Sequence, residues 1–175
     1  MKKLTAFCCL LALCLTAWAE PLTLKKGDHI CIIGNNLADR MQHAGYLEAL
    51  INAKFPQHEL VFRNLGFSGD ELTTRLRSEA FGSPDEWLEK EKADVIFAFF
   101  GYNESYQGYD GLGKFRKDLD KLIKDTLKQN YSGKGSPRLV IFSPIAQEKH
   151  PDYGTKHANN TNHARPLEWL VGHSL

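Results

Sequence analysis

Cysteine is scarce in this chain of 175 residues: there are four, and Cys8, Cys9 and Cys14 all fall near the amino terminus. Cys31 stands apart in an apolar run, so the rest of the chain offers no disulfide framework, and its simplest role is as a small core residue. No Cys-x-x-Cys-His occurs, which excludes attachment of a c-type haem. Neither charge is in excess. With 22 basic and 21 acidic residues the formal net charge is +1, which gives no electrostatic reason to expect nucleic acid or an anionic membrane as partner. Hydrophobic runs long enough to span a bilayer are missing beyond the first 19 residues. Internal repeats and low-complexity segments are missing too.

The amino terminus has a composition of its own. Lys2 and Lys3 precede a mostly apolar stretch, Leu4 to Thr16, and Ala17-Trp18-Ala19 places small residues where a signal peptidase reads. The pattern predicts a secretory signal peptide over 1–19, cleaved before Glu20, and a secreted or periplasmic product with no membrane partner after cleavage. A lipoprotein signal is disfavoured because Leu13 stands before Cys14. Removing Lys2 and Lys3 leaves 20 of the 22 basic residues against 21 acidic ones, a net charge of about −1. The remainder divides into one α/β domain (20–145) and an irregular tail (146–175).

Within the domain, apolar runs alternate with helical patterns, which predicts a parallel sheet flanked by helices. The expected strands are His29 to Ile33, Leu60 to Arg63, Val95 to Phe99 and Leu139 to Phe142. They are short and near-continuously apolar, as strands covered on both faces are. One helix is expected from Asp39 to Lys54, with Met41, Tyr46, Leu47, Leu50 and Ile51 on one face. Ser83-Pro84-Asp85-Glu86 opens a second with a capping box, and Leu112 to Gln129 forms a third. Asp70 is expected to cap a helix starting near Glu71.

Three polar loops follow three of these strands: Gly34-Asn35-Asn36-Leu37, Asn64-Leu65-Gly66-Phe67-Ser68-Gly69-Asp70, and Phe100-Gly101-Tyr102-Asn103-Glu104. In an open parallel sheet such loops converge at the edge where ligands bind. Their order and context resemble the first three blocks of the SGNH, or GDSL, hydrolases, a family of esterases and acylhydrolases. The resemblance covers roughly residues 28–145 and implies a flavodoxin-like three-layer sandwich. It also implies that Gly69 N–H, the Asn103 amide and the N–H at position 36 form an oxyanion hole, with Asn35, Asp70 and Glu104 contacting substrate. No cofactor or metal is implied. The histidines at 150, 157, 163 and 173 are too irregularly spaced to suggest a ligand set.

Two departures from that pattern bear on function. The family's nucleophilic serine is replaced by Asn36, and an amide nitrogen is neither basic nor nucleophilic. The carboxyl-terminal Asp-x-x-His that supplies the base is missing, since Asp152 and His157 are five apart. Ser68 and Ser105 are substitute nucleophiles without an identifiable histidine, and Asp39, Asp70 and Glu104 could instead crowd one edge and activate water. The chain therefore reads as a divergent, truncated member with an impaired ester hydrolase site. The alternative is a non-catalytic module of a larger ancestral protein that binds a small-molecule or carbohydrate ester. Loss of pattern after Pro144 predicts a poorly covered sheet edge and low stability.

Overall fold

The computed structural model describes residues 21–145. The expected signal peptide and the tail from 146 lie outside the described residues. Four strands, β1 (His29–Gly34), β2 (Val61–Asn64), β3 (Val95–Phe99) and β4 (Arg138–Phe142), pair in parallel in the order β2-β1-β3-β4. Each expected strand is present to within a residue or two of its bounds. The order reverses direction between β1 and β3, so their carboxyl ends flank the crevice where ligands of doubly wound sheets bind.

Strand alternation divides the core. Cys31, Ile33, Ile96 and Ala98 point to one face, against Leu88 of α4 (Pro84–Lys90) and Phe115, Leu119 and Ile123 of α5 (Gly108–Leu127). Ile30, Ile32, Val95, Phe97 and Phe99 point to the other, under α1 (Asn36–Met41) and α2 (Tyr46–Lys54). Two covered faces explain why β1 and β3 are apolar at consecutive positions. A one-turn α3 (Ser78–Phe81) and a 3₁₀ turn (Glu104–Gln107) complete the elements. Among the described residues β4 is an edge, every one of its positions half-buried.

Two local expectations are corrected. The helix expected over 39–54 is two helices, because Gly45 sits at φ +60° in the turn after Met41 and diverts the chain. No helix begins at Glu71. Asp70 instead accepts from Leu76 N at 3.3 Å and closes a loop that reaches α3. The capping box at Ser83 forms as expected, Oγ accepting from Glu86 N while Glu86 accepts from Ser83 N. The last helix starts four residues earlier than expected, at Gly108.

Candidate functional site

The turn after β1 is the pivot of the crevice. Gly34 has φ +134°, and a Cβ there would lie 2.2 Å from the carbonyl oxygen of Phe99, so only glycine lets β1 leave the sheet so close to β3. Asn35 follows, 2 % exposed. Its N–H donates to Phe99 O at 3.1 Å and its Oδ1 caps α1 by accepting from Leu37 N at 3.4 Å. Its Nδ2 is buried and has no hydrogen-bond partner among the described residues.

Asn36 is exposed, and its Oδ1 accepts the backbone N–H of Gly69 at 2.9 Å. The amide orientation follows from chemistry: an NH₂ group turned toward Gly69 would set donor against donor. The N–H that the resemblance assigns to an oxyanion is thus already bonded to a carbonyl oxygen of the chain itself. Asn103 completes the group, its Nδ2 lying 3.5 Å from Asp70 O, a long and weak contact. The three loops do converge, and their polar groups are directed at one another.

The neighbouring carboxylates are also engaged. Glu104 accepts from Leu72 N at 2.8 Å and Gly101 N at 3.0 Å, tying the second loop to the third. Burial pushes its carboxyl above the usual range, and the two backbone donors only partly offset this. Burial likewise raises Asp70, with Arg75 pulling the other way. The Arg75 guanidinium is itself held below its usual value by burial and lies over the Phe100 ring at 4.2 Å. Asp39 accepts from Gln42 Nε2 at 2.6 Å and from the Ser68 hydroxyl. Ser105 is 4 % exposed and its hydroxyl donates to Tyr102 O at 2.5 Å. Ser68 is bonded to a carboxylate, and Ser105 is withdrawn into the interior.

No imidazole base reaches this group among the described residues; the carboxylate of Asp39, which accepts from the Ser68 hydroxyl, is the group placed to take a proton. Asn36 and Ser68 have no imidazole partner there. His29 Nδ1 lies 2.7 Å from Glu91 O, at the amino end of β1, opposite the crevice. His58 precedes β2, its carbonyl accepting from Gly27 N.

A cavity of about 270 Å³ opens beside Asn36, on the α1 side of the β3 and β4 carboxyl ends. Leu37, Phe99, Phe142, Pro144 and Ile145 make it apolar, and Asn35, Asn36 and Arg40 are among its polar lining. Phe99 and Phe142 stack at 4.2 Å between centroids, forming a flat wall. Arg40 and Phe142 did not follow from the motifs. The available signal for Arg40 was its place four residues after Asn36, on the same face of a helix.

No family model matches the sequence, and neither does any curated protein. Solved structures do match in fold. A gut microbial diltiazem-metabolizing enzyme superposes with a TM-score of 0.63 at 17% identity, over 88% of this chain and 35% of its own. A catalytic mutant of an acetylxylan esterase from Geobacillus stearothermophilus gives 0.57 at 17%, over 86% and 74%. An alpha/beta hydrolase enzyme from the metagenome of Lake Arreo, Spain, gives 0.53 at 19%, over 85% and 76%. The chain therefore spans about a third of the first and about three quarters of the other two. It shares the α/β fold of these structures.

Proposed function

We propose that this chain is an exported, SGNH-type ester-hydrolase-like protein that is catalytically impaired and holds an acyl or carbohydrate ester without efficient cleavage. The observation that carries the reading is the Asn36 Oδ1 to Gly69 N–H bond of 2.9 Å. It supports impairment twice over. The group at the nucleophile's place is an amide, whose nitrogen is neither basic nor nucleophilic, and its carbonyl occupies the N–H that would stabilise a tetrahedral oxyanion. Export rests on the pattern of Lys2, Lys3 and the apolar stretch to Ala19. A second reading, a purely binding module derived from a larger protein, is favoured by the mutual engagement of Asn103 and the Asp70 carbonyl.

Hydrolysis of p-nitrophenyl acetate tests impairment. The purified chain is expected to match the buffer rate, with Asn103→Ala and the surface change Lys128→Ala both without effect. In a working oxyanion hole the loss of one donor costs about 10²–10³ in rate. Turnover that Asn103→Ala abolishes and Lys128→Ala spares would contradict the proposal.

A further inference from the structure

We infer that the cavity beside Asn36 is a receptor for a small apolar carboxylate, a short fatty acid, with its anionic head at Arg40 and its tail against Phe99 and Phe142. The inference deepens the binding reading above and rests on it. Three features of the cavity set the class of ligand.

The first is charge. Arg40 is exposed and lines the cavity, and among the described residues no hydrogen bond or ion pair engages its guanidinium. None of the described residues lining the cavity is a carboxylate. A planar cation with no ion-pair partner among the described residues, at the edge of an apolar space, matches a carboxylate bidentately. The second is the unused amide. Asn35 is 2 % exposed, and its Oδ1 is occupied by Leu37 N while its Nδ2 is buried without an acceptor among the described residues. That donor is closed even to water, so the amide that the cavity offers a ligand is that of the exposed Asn36. With Oδ1 held by Gly69, the remaining hydrogen-bonding group of Asn36 is its NH₂.

The third is size and wall chemistry. At about 30 Å³ per water-sized group, a cavity of about 270 Å³ holds about nine such groups. Hexanoate, with eight non-hydrogen atoms, fits that volume. Tyr102 and Ser143 also line the cavity, and the stacked Phe99 and Phe142 rings, with Pro144 and Ile145, form its apolar wall. That wall accepts an alkyl chain.

Calorimetric titration of the full chain with hexanoate and with hexanamide at low salt tests the inference, since the two differ chiefly in head-group charge. Hexanoate is expected to bind about tenfold more tightly, the scale of one charge-assisted hydrogen bond. Arg40→Gln, at an exposed position, is expected to erase that preference and leave hexanamide binding unchanged. Concentrated salt is expected to narrow the preference by screening the exposed guanidinium. A flat titration at millimolar hexanoate overturns the inference, whether residues 146–175 or a second copy fill the cavity or nothing does. Equal affinity for the two ligands, or indifference to Arg40→Gln, overturns it as well. Neither result bears on ester turnover, so failure here and failure of the impaired-hydrolase reading are told apart.

Discussion

The asparagine at position 36 shapes the crevice through hydrogen bonding, because its amide is not a nucleophile. Its carbonyl accepts the N–H of Gly69 at 2.9 Å. Glu104 has a related role in the next loop, taking two backbone N–H groups from separate segments. Because burial raises its carboxyl above the ordinary value of 4.5, the folded chain holds that proton more tightly than the unfolded chain does. The contribution to stability is therefore fully retained below 4.5 and lost as pH rises through the folded value. Asp94 and Asp125 are shifted the other way, below 3.8, and titrate outside this window. Glutamine can accept only one of the two N–H groups, so Glu104→Gln is expected to cost about 1–3 kcal/mol. Urea melts should show that cost to be largest near the acid end of the window and smaller at neutral pH. A gap that is constant with pH would contradict the buried, proton-holding carboxyl.

At the scale of elements, the strands were legible because burial on both faces leaves an unbroken apolar run, as in His29 to Ile33. The break between α1 and α2 was not. Met41 and Ile51 keep helical spacing across it, and the only signal was Gly45, which the apolar pattern overrides when read along one face. The absence of a helix at Glu71 has a similar cause: Asp70 suits a cap, but its carboxylate is taken by Leu76 N from a loop. Gly34→Ala is expected to destabilise the chain by about 3 kcal/mol or more, since the added methyl meets backbone rather than a side chain that can move. Ser83→Ala, which removes a cap from an exposed helix start, should cost about 1 kcal/mol. Thermal melts of the pair check the ranking, and an equal or inverted order would count against the strand–strand approach at Gly34.

For the whole molecule, the order β2-β1-β3-β4 determines which loops meet, and that much follows from strand-ending motifs. The cavity could not be read the same way. Its wall joins α1 to Phe142 and Ile145, about a hundred residues later, and only the crossover through β3 brings them together. A comparable long-range tie holds the segment before β1 to the sheet edge. Arg138 donates to Asp28 Oδ1 at 2.6 Å and to Thr23 O at 2.5 Å. Asp28 is 3 % exposed, so Arg138→Ala leaves a buried carboxylate without its cation. The expected loss is about 2–3 kcal/mol, the low end for a broken buried pair because the arginine is partly solvated. Adding Asp28→Asn should recover part of it in a double-mutant cycle, and no recovery would show that the two residues act independently.

The most direct test of the central claim is the amide of Gly69. The bond to Asn36 Oδ1 predicts a Gly69 N–H protected from hydrogen exchange, with a trans-hydrogen-bond coupling to the Asn36 side-chain carbonyl carbon. Asn36→Ala should then lose that coupling and expose the amide, while the amides of β1 and β3 stay protected. A Gly69 amide that exchanges freely in the unaltered chain, or is unchanged by Asn36→Ala, would contradict the claim that the Asn36 side chain holds this N–H.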